Sequence, residues 1–204
     1  NVFGQSARTS HVPAILHTPV FLKKNSLQLG VYSNNYGTSY QGVGQVKNIT
    51  FSLAFQHQIR LLIGDPLRLS DYPYSDTSAY LLQSRPSDMQ YIELGLGYHF
   101  RFEGQHLNLL AGVGQRFRPS QRRAFVQLDW GCENRFVQAG ISFRGSYTTV
   151  REINLFTLEP LTQVKVKLWR FRLVHQFGYA IPLKRGEKYM HPIFTVGIEY
   201  IWER

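Results

Sequence analysis

The residue pattern predicts an all-β chain, an antiparallel up-and-down barrel of about ten strands. The first observation behind this is the stretch Met89 to Phe117. There Ile92, Leu94, Leu96, Tyr98, Phe100 and Phe102 alternate with Tyr91, Glu93, Gly95, Gly97, His99 and Arg101. After Glu103-Gly104-Gln105 the alternation resumes, with Leu107, Leu109, Ala111 and Val113 against His106, Asn108, Gly112, Gly114 and Arg116. A period of two places successive side chains on opposite faces of a strand, and a short Gly turn between two such runs makes a hairpin. The second observation is that other segments repeat this grammar. The third is that no apolar run approaches the roughly 18 residues of a membrane helix.

Taken in order, residues 1–25 read as an extended N-terminal segment, because Pro13, Pro19 and Lys23-Lys24-Asn25 interrupt any strand pattern. The barrel domain spans residues 26–204. Its first strand is Ser26–Ser33, with Leu27, Leu29 and Val31 on the apolar face. Residues 34–44 (NNYGTSYQGVG) read as a turn-rich loop. A second strand follows with Ile49, Phe51, Leu53 and Phe55, then a tight turn near His57 and a third strand with Ile59, Leu61 and Ile63. The loop from Asp65 to Ser87 is the longest, and loops of that length are usually functional. The opening hairpin supplies strands four and five.

Strand six sets Ala124, Val126, Leu128, Trp130 and Cys132 against Phe125, Gln127, Asp129, Gly131 and Glu133. Strand seven opposes Val137, Ala139, Ile141 and Phe143 to Gln138, Gly140, Ser142 and Arg144. Strand eight carries Leu158, Val164, Val166 and Leu168 opposite Glu159, Gln163, Lys165 and Lys167. In strand nine Phe171, Leu173, Phe177 and Tyr179 face away from Arg172, Gln176 and Gly178. Strand ten, with Phe194, Val196, Ile198, Tyr200 and Trp202 against Thr195, Gly197 and Glu199, closes the count. An even number of strands with short turns at one end and longer loops at the other is the pattern of a bacterial outer-membrane barrel. Both termini then fall on the short-turn, periplasmic side.

Alternation alone does not say which face is inside. Charges and glycines share one face, and the other is aliphatic at mid-strand with rings near the ends (Phe100, Trp169, Tyr200 and Trp202 among them). A narrow barrel crowds its interior and needs small residues there, while lipid demands bulk and aromatic girdles outside. The polar face is therefore the lumen, and the barrel is transmembrane. Arg60, Glu93, Arg116, Asp129, Glu133, Arg144, Glu159, Lys165, Arg172 and Glu199 are expected to meet there as an ion-pair network. Unpaired charges in so confined a space would be costly, so the network fills the lumen.

Five phrases carry a resemblance: HVPAILHTPVFLKKNSLQLGV from His11, the short-turn hairpin around His57, YIELGLGYHF from Tyr91, FTLEPLTQVKVK from Phe156 and IFTVGIEYIW from Ile193. Together they resemble small outer-membrane barrel proteins of Bacteroidetes, many of which are exported as lipoproteins. The resemblance implies a barrel of the outer membrane and brings no catalytic motif. The acylated N-terminal Cys of the lipoprotein members has no counterpart, since the chain opens at Asn1.

The net charge of +10, from 23 basic and 13 acidic residues, raises nucleic acid as a partner. That reading is set aside because many of the basic residues alternate into the presumed lumen beside acids. The lone Cys132 leaves no intrachain disulfide and reads as a small residue of the apolar face. Of seven His, His99 points inward near the short-turn end and His175 points outward, where it breaks the apolar pattern. His11, His17, His57, His106 and His191 fall among termini and turns, so neither a catalytic triad nor a metal set emerges, and no cofactor is expected. Asn48-Ile49-Thr50 matches a glycosylation sequon at what reads as a strand position. The Asp65–Ser87 loop holds Tyr72, Pro73, Tyr74 and Tyr80, residues suited to gripping a protein partner. The expected role is a non-enzymatic accessory subunit of a larger outer-membrane complex, in contact with lipid and with other outer-membrane proteins. The alternatives are an enzyme modifying lipid A and a narrow anion-selective channel.

Overall fold

In a computed structural model the chain forms a closed antiparallel barrel. The structure describes residues 25–34, 37–58, 89–116, 121–150, 153–183 and 191–203. The strands are β1 (Ser26–Asn34), β2 (Gly37–Val46), β3 (Ile49–Gln58), β4 (Met89–Phe102) and β5 (Gln105–Arg116). They continue as β6 (Gln121–Glu133), β7 (Val137–Val150), β8 (Ile153–Leu168), β9 (Phe171–Pro182) and β10 (His191–Glu203). Each strand pairs with its neighbours in sequence, and β1 pairs with β10 to close the cylinder. One circuit of the registers advances about twelve residues along the strands. For ten strands such a stagger means a tilt of roughly 40°. A twelve-residue strand is about 40 Å long and, so tilted, spans about 30 Å, the thickness of a bilayer's hydrocarbon core.

The polarity is inverted relative to a water-soluble protein. Leu94, Leu96, Leu109, Val126, Val166 and Val196 stand exposed on the outer face, while Glu93, Asp129, Lys165 and Glu199 are fully buried inside. Only an apolar solvent accommodates such an exterior, so this is a transmembrane barrel with a filled polar lumen. Rings cluster toward the strand ends, as in the Tyr98–Phe100 and Phe171–Tyr200 pairs (4.7 and 5.4 Å between centroids) and the highly exposed Trp169. Cys132 lies on the exposed outer face, as the alternation predicts.

The inward glycines have a specific packing reason. A Cβ on Gly95 would strike Ser52 and crowd Leu110; on Gly97, the Leu109 carbonyl and Leu110; on Gly112, Phe125; on Gly114, Tyr91; on Gly178, the Pro160 carbonyl and Leu161; and on Gly197, Tyr32. Each glycine is the seat of one inward side chain from its own or a neighbouring strand, so ring and seat fill the lumen together.

Three sequence expectations are corrected. The stretch read as a loop over residues 34–44 contains β2, which joins β3 through Lys47-Asn48 (Lys47 φ 56°). His57 lies within β3, paired with Thr38 and Gln90, and marks no turn. The proposed strand over residues 59–64, with Arg60, falls outside the described residues, as do the segment 1–24 and the loop carrying Tyr72, Pro73, Tyr74 and Tyr80. Two residues separate β1 from β2, and two separate β7 from β8. Asn48 lies at a turn, where its amide donates to the Tyr98 hydroxyl at 2.9 Å. The turns 47–48, 103–104, 134–136 and 169–170 share one end of the barrel with the beginning of β1 and the end of β10. The β3–β4 connection, residues 59–88, belongs to the opposite end.

Candidate functional site

The lumen holds most of the charges that alternation assigns to it, stacked in layers. In the layer nearer the long connections, Arg144 of β7 places its guanidinium 2.6 Å from the Glu93 carboxylate of β4. The same guanidinium lies over the Phe125 ring, 3.7 Å from its centroid, and Glu159 faces Arg144 in the β7–β8 register. The Tyr91 hydroxyl donates to Glu93 at 3.0 Å, and Arg123 covers the Tyr91 ring while its Nε donates to Thr148. Arg116, the last residue of β5, is buried close by in the same end of the lumen.

In the middle, Asp129 accepts hydrogen bonds from Asn108 (3.0 Å), Gln127 (2.7 Å) and Ser142 (2.6 Å). Three donors from β5, β6 and β7 thus satisfy a fully buried carboxylate. Toward the short turns, Lys165 of β8 contacts both carboxylate oxygens of Glu199 on β10, at 2.7 and 2.9 Å, and the Tyr32 hydroxyl of β1 donates to Glu199 at 2.8 Å.

The short-turn rim centres on Glu133. Lys167 donates to it at 2.7 Å, Gln138 at 2.8 Å, and Arg101 stands 3.7 Å away. His106 Nε2 is 3.4 Å from Glu133, while its Nδ1 lies 3.2 Å from His99 Nε2. Arg172 donates to Gln138 beneath this cluster. His99, Glu133 and His106 come from β4, β6 and β5 and form a chain of two imidazoles and a carboxylate.

Of the residues assigned to the lumen from the sequence, the structure pairs Glu93 with Arg144 and Lys165 with Glu199 and places Glu133 beside Lys167; Asp129, Arg116, Glu159 and Arg172 are buried on the same inner face. Arg60 lies outside the described residues. Two features were missed in the sequence. The tyrosines Tyr32 and Tyr91 complete the Glu199 and Glu93 sites, and their signal was an inward phase shared with Gln28 and Glu93. His106 was assigned to the turns although it shares the inward face with Asn108, and it meets His99 across the hairpin. His175 is outward as read, edge-on to Phe194 at 4.7 Å.

Among the described residues, no group of three or more His, Cys, Asp or Glu side chains is placed to hold a metal ion. The arrangement packs the described part of the lumen with charged and amide side chains. Even large lining side chains are withdrawn from solvent: Arg144 and Lys165 are 2% and 0% exposed.

No family model and no curated protein matches the chain. Solved structures do. The KdgM porin in complex with disordered oligogalacturonate aligns over 87% of this chain and 99% of its own, with a TM-score of 0.50 at 7% identity. An outer-membrane channel from Pseudomonas putida F1 aligns over 93% of this chain and 100% of its own, with a TM-score of 0.52 at 10% identity. At such identities the likeness is one of fold: this chain shares the architecture of small outer-membrane barrels.

Proposed function

We propose that this protein is a closed, non-enzymatic barrel of the bacterial outer membrane that serves as an accessory subunit of a larger outer-membrane complex. The observation that supports this reading is the packed lumen, above all the Glu93–Arg144 and Lys165–Glu199 pairs at 2.6 and 2.7 Å. A barrel filled by ion pairs offers solutes no path, so its outer surface and its connections are what remain for a task. In this reading the short-turn end, with both termini, faces the periplasm. The residues Tyr72, Pro73, Tyr74 and Tyr80 belong to the long connection at the opposite end and supply its protein contacts. The Bacteroidetes outer-membrane proteins that the strand phrases resemble fit the same location.

Mild-detergent extraction from the native membrane, with and without prior cross-linking, tests the proposal. Co-purification of a defined outer-membrane partner, lost when residues 72–80 are replaced by a Gly-Ser segment, is the expected result. Recovery of the barrel alone from several detergents and after cross-linking would overturn it.

A second reading, a narrow anion-selective channel, is favoured by the fold shared with the KdgM porin and the Pseudomonas channel, together with the net charge of +10. It requires the charge layers to part. Bilayer recordings separate it from the first reading.

A further inference from the structure

The outer face of β4–β7 carries a groove of about 540 Å3, near the end of the barrel that bears the β3–β4 connection. Its apolar part is built by Leu94, Val113, Ala124 and Tyr147, which lie side by side in the cross-strand register. Ala124 sits between the larger Val113 and Tyr147, so the surface dips there. Nearer the middle of the barrel, two residues from Tyr147 on β7, Gly145 leaves open space on the same face, where an added Cβ would meet nothing within 4 Å. One row toward the strand ends, the register sets Gln115, Arg122 and Thr149 next to one another. Arg122 and Gln115 are exposed, and among the described residues Arg122 has no carboxylate partner. The Thr149 hydroxyl is directed to Asn154 at 3.1 Å.

We infer that this groove is a binding site for a phosphorylated lipid of the leaflet at the long-connection end. The charge and the shape point to the same occupant. An acyl chain runs along the barrel through the dip at Ala124 and Gly145, gaining dispersion contacts that a flat lipid-facing wall does not offer. Arg122, one row nearer the membrane surface, offers a planar guanidinium to the phosphate, the anion for which that fork is best suited. Gln115 adds a neutral amide donor beside it. A cation at the interface and a trough beneath it match an anionic head group and its chain, and a purely apolar protein partner would leave Arg122 buried without a counter-ion. The inference rests on the outer-membrane location proposed above but not on membership of a complex.

The test uses the intact chain refolded in zwitterionic micelles, with heat-modifiable migration on gels verifying the closed barrel for every variant. Bisphosphorylated lipid A, its dephosphorylated form and phosphatidylethanolamine are added in turn, and bound lipid is read by native mass spectrometry. The protein is expected to retain the phosphorylated form at least fivefold over the dephosphorylated one. Arg122→Ala should bring the two to parity, with Arg122→Gln as a second variant should the first not refold. Ala124→Phe, which fills the dip from the lipid side, should lower retention of phosphorylated lipid by a similar factor, and Arg170→Ala at the opposite rim should leave it unchanged. Parity in the parent protein, undiminished retention in Arg122→Ala or Ala124→Phe, or a lipid-free dimer seated on this face would each overturn the inference. A chain that never shows heat-modifiable migration would instead contradict the membrane-barrel reading itself.

Discussion

Arg144 on β7 and Glu93 on β4, three strands apart around the barrel, meet at 2.6 Å inside the lumen, and neither is more than 2% exposed. Such a pair is held by its surroundings as much as by its charge. Phe125 lies against the guanidinium, Tyr91 donates to the carboxylate, and Glu159 adds a second acid nearby. Removing one partner leaves the other charge buried. Glu93→Ala is therefore expected to destabilise the folded barrel by about 3–5 kcal/mol, and the double variant Glu93→Ala with Arg144→Met by clearly less than the sum of the singles. Urea unfolding in lipid vesicles, followed by tryptophan fluorescence, measures this. Additive losses would mean that the pair contributes no coupling.

The outer face supplies the opposite test. Leu109 is exposed to lipid on β5, and a charge placed on such a face near the bilayer midplane costs about 2–4 kcal/mol. Leu109→Arg should lose heat-modifiable folding. The neighbouring inward residue responds differently. By alternation alone Asn108→Ser is expected to be harmless, but the Asn108 amide donates to Asp129 at 3.0 Å, so shortening the side chain should cost about 1–3 kcal/mol. Equal stability of Asn108→Ser and the parent protein would show that water replaces that donor.

Glycines on the two faces should behave differently as well. A Cβ on Gly112 would collide with the Leu94 carbonyl and the Phe125 ring, whereas one on Gly145 meets nothing. Gly112→Ala is expected to destabilise by about 1–3 kcal/mol through overpacking, and Gly145→Ala to be neutral or slightly stabilising. Refolding yield and urea midpoints of the two variants decide the matter. Equal behaviour would contradict the seat-and-ring packing of the lumen.

How much of this was legible in the sequence follows from where the chain obeys the period of two. Strands such as β6 obey it along their whole length, with Phe125, Gln127, Asp129 and Gly131 inward and Ala124, Val126, Leu128 and Trp130 outward, so both strand and faces could be read. β2 could not. Its outward positions include Gly42 and Gly44, where the pattern leads one to expect bulk, and its inward Val43 is apolar where a polar residue is expected. Its strand state comes from pairing with β1 and β3 rather than from its own composition. Within the site, the charges were readable because each follows the phase of its strand. Their partners were not, because the pairing of Lys165 with Glu199, or of His106 with His99, depends on strand order and stagger. The short-turn rim failed for a related reason: His106 follows the phase of Asn108, but that it meets His99 and Glu133 depends on how three strands are staggered.

The central claim is that the lumen is closed by its own charge layers, and single-protein recording in a planar bilayer tests it most directly. The folded protein is predicted to insert without sustained conductance at moderate voltage, while replacing the plug (Glu93, Arg144, Lys165 and Glu199 together to Ser) should open a measurable current. A steady, ion-selective open state in the unmodified protein would contradict the account.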